Sequence, residues 1–217
     1  MKVQLFGSYT RLDDLEHISP LCRLMQRLKL IGRLDMPQAI SVEDDMTDDS
    51  SVLKASSNTV KRYQLSSGDA VIVGASSGKV TLLMIVVQDE LPDGLAHMNY
   101  IARLNLGVSP GDLVTLSLCP NLAYIKRVDI APVSDEIWAL SRSLFHDFII
   151  PHFRDAYRPL RQGDLFKCGD PNKVIVFEAI RIEPLKYGIV GQDTCIRLCF
   201  TEHARWDSID ENQGKKI

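Results

Sequence analysis

The sequence predicts a mainly β protein, and three observations carry that reading. Between Val52 and Phe200 the apolar residues gather into short runs: DAVIV, VTLLMIVV, DLVTLSLC, RVDIAPV, KVIVFEAIRI and TCIRLCF. Runs rich in Val, Ile and Leu, bounded by Gly, Pro, Ser or Asp, have the composition of strands. Gly68-Asp69, Gly111-Asp112 and Gly163-Asp164 each open such a strand. Finally, DAVIV and VTLLMIVV are separated only by a short Gly/Ser stretch, which is hairpin spacing.

In chain order, residues 1–38 stand apart. Leu21, Leu24, Met25 and Leu28 recur at i, i+3, i+4 and i+7, with Arg23, Arg27 and Lys29 between them. That pattern predicts an amphipathic helix with a basic side, packed on its own domain or docked on a partner. Any membrane-surface contact is expected only through residues 12–33. EDDMTDD, residues 43–49, reads as an acidic loop. In DLVTLSLC, Val114, Leu116 and Leu118 alternate with Leu113, Thr115 and Ser117, the period of a half-buried strand. In the Gly-Asp pairs, glycine permits a tight turn and the Asp side chain accepts bonds from turn amides. The first two pairs lie 43 residues apart, as two related halves of one barrel would place them. The third pair begins a separate unit, with a boundary near Pro120–Lys126, where Cys119-Pro120-Asn121 reads as a turn. One helical interruption, SDEIWALSRSLFHDFIIPHFRDAYRP, is expected to break at Pro151.

Composition removes several function classes. The chain has 217 residues, 45% of them apolar, enough for a core. A net charge of −3 gives no basic footprint for nucleic acid. No apolar run approaches the roughly 18 residues of a membrane span. MKVQLFGSYT lacks the apolar centre of a signal peptide. Cys22, Cys119, Cys168, Cys195 and Cys199 are scattered and odd in number, which points to reduced thiols in the cytoplasm. Cys195 and Cys199 form one close pair, and no second pair or His stands at metal spacing, so no metal site is expected.

The stretch DAVIVGASSGKVTLL imitates two motifs. A phosphate loop needs G-x-x-x-x-G-K-[ST] leading into a helix. Here three residues separate Gly74 from Gly78, Val80 follows Lys79, and the next run is β-branched. Gly74-Ala75-Ser76-Ser77-Gly78 matches G-x-S-x-G, but a nucleophile elbow also needs strand–turn–helix. A hairpin is therefore expected, and a hydrolase using Ser76 is the alternative from another class. Asp193-Thr194 begins like the D-T-G of aspartic proteases, but Cys195 replaces the glycine and no second copy exists. His17, His97, His146, His152 and His203 have no metal spacing, and no catalytic constellation is predicted.

FHDFIIPHFRDAYRPLRQGDLF, Phe145 to Phe166, resembles a stretch of the valosin-containing-protein family of AAA+ ATPases. HMNYIARLNLGVSPGDLVTLSLCP resembles the family's M-N-x-x-x-R-x-N-L-x-V-x-x-G-D run, and KYGIVGQDT its Y-x-I-V-x-x-D-T. The resemblance covers roughly residues 39–200 and implies the family's N-terminal domain. That domain has a double-psi β-barrel, here 39–120, then a small four-stranded β-barrel with a short helical insertion, here 126–200. Residues 1–38 are an N-terminal extension, and 201–217 stand where a linker toward the ATPase module would run. The chain holds no Walker motif, so ATP and magnesium are expected only in a full-length, hexameric parent; the isolated domain is expected to be monomeric. The implied partners are adaptors, UBX-like domains or short basic helical motifs, bringing ubiquitinated clients as in endoplasmic-reticulum-associated degradation. The implied location is cytoplasmic, at the endoplasmic reticulum surface or nuclear. By position, the adaptor groove would be lined by Asp49, Val52, Met84, Val86, Tyr124, Tyr157, Arg158 and Tyr187, with Asp49 taking a partner's arginine. Departures from the family are Ser66-Ser67 before the first Gly-Asp, Ala123 in place of a lysine, and Ser109 and Gly169 in place of ring-contacting arginines. The related N domains of membrane-fusion and peroxisomal AAA+ proteins are the alternative, against which YRPLRQGD argues.

Overall fold

Alternation sets the first strand. In β1 (Ala39–Asp44) Ile40 and Val42 are buried while Ser41 and Glu43 are half-buried. The same rule runs through β2 (Val52–Ala55), β3 (Ala70–Ala75), β4 (Val80–Val87), β5 (Leu95–Met98) and β6 (Leu113–Leu118). In this computed structural model they close into a barrel in the order β1-β5-β2-β4-β3-β6. The β1–β5 and β2–β4 ladders are parallel, and the other four are antiparallel. The structure describes residues 39–46, 49–120, 122–133, 144–154, 156–170, 173–199 and 215–216. The amphipathic helix expected over Leu21–Leu28 lies outside them.

The barrel is built twice from one plan. Asp69 and Asp112, 43 positions apart, each accept their own turn amide, Ser66 N at 2.7 Å and Ser109 N at 2.8 Å. Gly68 N donates to Ile85 O at 2.8 Å and Ile85 N to Asp69 O at 2.9 Å. Gly111 N donates to Val42 O at 2.7 Å and Val42 N to Asp112 O at 2.9 Å. The two glycines have φ of +88° and +91°, a region open to glycine at little cost. Register agrees: Val42 faces Ala96 as Ile85 faces Leu53.

Two short helices belong to the same plan, where the sequence reading placed strand and loop alone. The first, α1 (Ser57–Arg62), is capped by the Ser56 hydroxyl on Thr59 N; α2 (Tyr100–Leu106) is capped by the Asn99 side chain on Ile101 N. Those caps, again 43 positions apart, were the legible signal. The acidic loop is also corrected. Glu43 and Asp44 belong to β1, Asp44 pairs with Arg103 at 2.6 Å, and Asp45 pairs with Lys54 at 3.1 Å.

The stretch that imitates a phosphate loop joins the two halves as a hairpin. Gly74 faces Val80, Gly78 N donates to Ala75 O at 3.0 Å, and Ala75 N to Lys79 O at 2.9 Å. Ser76 is exposed in that turn and a strand follows it, so the strand–turn–helix geometry of an elbow is not formed.

The second lobe begins at β7 (Arg127–Pro132). A π-helical turn, Phe145–Ile149, runs into α3 (Ile150–Phe153), so the register changes just before Pro151. Then follow β8 (Arg158–Arg161), β9 (Leu165–Asp170), β10 (Lys173–Glu183), β11 (Tyr187–Val190), β12 (Cys195–Leu198) and β13 (Lys215–Lys216). Arg158-Pro159 thus opens a strand, where the sequence reading had it ending a helix. Instead of the four-stranded barrel implied above, the pairing gives a five-stranded sheet, β13-β12-β7-β10-β9, and a two-stranded sheet, β11-β8. Long β10, bulged between Ala179 and Arg181, pairs with β7 on one edge and β9 on the other. Asp129 is buried on β7 and meets Arg197 of β12 through two bonds, 2.9 and 2.8 Å.

Each lobe has its own core: Val42, Leu53, Val71, Ile85 and Met98 in the barrel, and Val128, Ile130, Ile149, Phe166 and Phe177 in the second lobe. Among the described residues no helix is long and apolar enough to cross a membrane.

Candidate functional site

The third Gly-Asp turn repeats the backbone plan and changes its side chain. Gly163 N donates to Ala179 O at 2.7 Å, and Ala179 N to Asp164 O at 3.0 Å. Here, though, the Asp carboxylate reaches across the lobes, accepting the Thr81 hydroxyl at 2.5 Å with Arg161 at 3.6 Å. Beside it Asn105 of α2 makes two bonds to the Leu165 backbone, 2.9 and 2.8 Å. Burial pushes the Asp164 carboxyl up to about 6, against the pull of Thr81 and Arg161.

This seam continues to Arg158. Its Nη1 pairs with Asp49 Oδ1 and donates to Ser51 Oγ at 3.1 Å, while Nε donates to His152 O at 2.7 Å. Asp49 Oδ1 also accepts Ser51 N at 2.9 Å and Ser51 Oγ at 2.5 Å. Burial opposes ionisation of Asp49, but Ser51 and Arg158 outweigh it and hold the carboxyl below its usual range. The His152 ring stacks on Phe166, and burial, with repulsion from Arg158, pushes its imidazole down to about 3. Ser51 and His152 were absent from the sequence-predicted set. An Asx turn at Asp49-Ser50-Ser51 was the available signal for the serine, and nothing local marked the histidine.

Above the seam lies an apolar wall. Val52 of β2 faces Met84 of β4, and Val86 lies two residues further on the same face; all three are half-buried, with Leu53 and Ile85 buried between them. Strand β8 packs against β4, and Arg158, its first residue, holds Asp49 and Ser51 just ahead of β2. At the symmetry-equivalent positions, on β5 and β1, the barrel carries Leu95, Ser41 and Glu43, so only one of the two equivalent patches is apolar throughout.

Tyr124 is placed by two glycines. It bridges to Ile189 of β11, flanked by Ile125 N to Ile189 O at 2.8 Å and Ile189 N to Ala123 O at 2.9 Å. A Cβ on Gly188 would lie 2.6 Å from the Ala123 carbonyl, and one on Gly191 would lie 2.7 Å from the Tyr124 ring. Tyr124 and Tyr157 are 59% and 68% exposed, yet their side chains are hydrogen-bonded, which raises the Tyr124 phenol above its usual range. Tyr187, half-buried, opens β11 opposite Arg161.

The geometry therefore brings together Asp49 with Arg158, Val52 with Met84 and Val86, and Tyr124 with Tyr157. It does not offer Asp49 as an open anion, because the chain's own guanidinium sits on it. Among the described residues no group of His, Cys, Asp or Glu is arranged to hold a metal. Cys195, half-buried, opens β12 and Cys199, buried, follows its last residue; both are free thiols. No protein-family model matches the sequence.

Proposed function

We propose that residues 39–199 are an adaptor-binding N domain of a AAA+ ATPase that extracts or unfolds ubiquitinated proteins. The carrying observation is the exposed, mutually hydrogen-bonded Tyr124–Tyr157 pair. Two tyrosines held by a mutual hydrogen bond lose little freedom on binding and offer an apolar face with a polar tip. The parallel β1–β5 and β2–β4 ladders and the 43-residue plan support a double-psi barrel, and YRPLRQGD supports the valosin-containing-protein kind of N domain. On this reading the chain makes and breaks no bond, and ATP and magnesium act in an ATPase module of a hexameric parent. The partner is a UBX-like domain or a helical motif met in the cytoplasm. Affinity is expected on the order of micromolar, as for small transient interfaces. The test is calorimetric titration of a UBX domain into wild type, Tyr124→Ala and Tyr157→Ala, with circular dichroism to confirm folding. Each variant is expected to lose roughly tenfold or more. Equal binding by all three folded proteins would remove the groove.

A further inference from the structure

We infer that Arg158 is an internal occupant of the groove's anion site, standing where a partner's basic side chain would otherwise bind, and that it thereby sets selectivity against basic ligands. This rests on the groove reading above.

The guanidinium is held from three sides: by the Asp49 carboxylate, by the Ser51 hydroxyl at 3.1 Å and by the His152 carbonyl at 2.7 Å. Its backbone is fixed as well, since Arg158 opens β8 in register with Val190 and is followed by Pro159. Asp49 Oδ1 is shared with the Ser51 amide and hydroxyl, so the oxygen a guanidinium would take already accepts three donors. The side chains are 20% and 34% exposed, open enough for a ligand to reach and covered enough for the charges to matter. The second carboxylate beside this wall is treated alike: Asp45 pairs with Lys54, at 12% and 16% exposure.

A tethered competitor acts at an effective concentration on the order of millimolar or above. A micromolar partner bringing arginine to Asp49 must displace a cation already in place and leave it without its carboxylate. Selection then falls to Tyr124, Tyr157, Val52, Met84 and Val86, which favour apolar anchors. The basic helical motif expected from the sequence becomes the disfavoured ligand, although Asp49 is present.

The experiment uses a helical peptide with a leucine stripe and central arginines, and a twin with glutamine at the arginine positions. Both are titrated into the whole chain as wild type, Arg158→Gln and Arg158→Gln/Asp49→Asn. Arg158→Gln is expected to bind the arginine peptide at least about tenfold more tightly than wild type. The gain should shrink in salt, vanish with the glutamine twin and vanish in the double variant. A folded Arg158→Gln that gains nothing overturns the inference, as does a gain that survives Asp49→Asn. If Arg158→Gln does not fold, Arg158→Lys keeps the charge without the planar fork and should show a smaller gain in the same direction; equal binding overturns the inference. Failure of the tyrosine variants to affect UBX binding would remove the groove itself, a separate outcome.

Discussion

The two halves of the barrel, residues 39–75 and 82–118, repeat the same strand register and Gly-Asp turn bonds, but the two outward patches that this symmetry creates differ. On one side Val52, Met84 and Val86 make an apolar strip beside the second lobe; the equivalent positions hold Leu95, Ser41 and Glu43. The backbone is therefore set by what repeats, Gly-Asp turns, N-caps and inward alternation, whereas the chemistry of the outer face is set by what does not. A third Gly-Asp turn, in the second lobe, shows the same separation on a smaller scale. Its backbone bonds match the other two, and its carboxylate alone is redirected, to Thr81.

The sharpest way to break the comparison is in the core. Leu53 and Ala96 are equivalent positions, both fully buried and diagonal neighbours across the β2–β5 ladder. Leu53→Ala should cost about 3 kcal/mol and Ala96→Leu about 1 to 3 kcal/mol. The double swap should cost clearly less than their sum, because volume is conserved between neighbours. Urea melts decide it, and simple additivity would show that the halves do not share one packed interior.

Asp164 comes next. A carboxyl raised from 3.8 to about 6 favours the folded state while protonated and loses that contribution as pH rises through the window between those values. Asp164→Asn should therefore gain on wild type by up to about 3 kcal/mol between pH 4 and 7, at about 1.4 kcal/mol per unit. His152 runs the opposite way: its lowered value gives stability that is present above about 6.5 and is lost as pH falls toward about 3. Removing Asp164 should thus steepen the acid limb of the stability profile. A constant offset between variant and wild type at every pH would show that the carboxyl does not titrate in the seam.

The smallest effect is the fairest test of the duplication. Asp69→Ala and Asp112→Ala each remove one bond to a turn amide, 2.7 and 2.8 Å long. Each should cost about 1 kcal/mol. A difference larger than about 0.5 kcal/mol between them would mean that the turns are equivalent in geometry alone.

Much of this architecture was legible locally. Strand composition located β3, β4, β6, β7, β10 and β12; the Gly-Asp spacing pointed to two related halves; and Val80 after Lys79 removed the phosphate loop. The helices α1 and α2 were missed because six or seven residues give periodicity little room, while their caps at Ser56 and Asn99 were readable in principle. What no local pattern carries is long-range partnership. Asp49 meets Arg158 across 109 positions, and Thr81 meets Asp164 across 83. A carboxylate in a loop reads as available until the fold delivers its cation.

The barrel's pairing also constrains how the chain is made. Each ladder, β1–β5, β1–β6, β2–β4, β2–β5, β3–β4 and β3–β6, joins a strand of the first half to a strand of the second. Neither half pairs with itself. A nascent chain that has emerged only through Ala75 can form no native ladder, and its strand edges stay open until residues up to Leu118 follow. Because every copy of the chain carries the same second half, the waiting edges are matched equally well by the second half of a neighbouring chain. During synthesis that makes exchange of halves between copies the natural error of this barrel, and the short Ser76–Lys79 turn, which delivers β4 directly onto β3, the local device that favours the chain's own half.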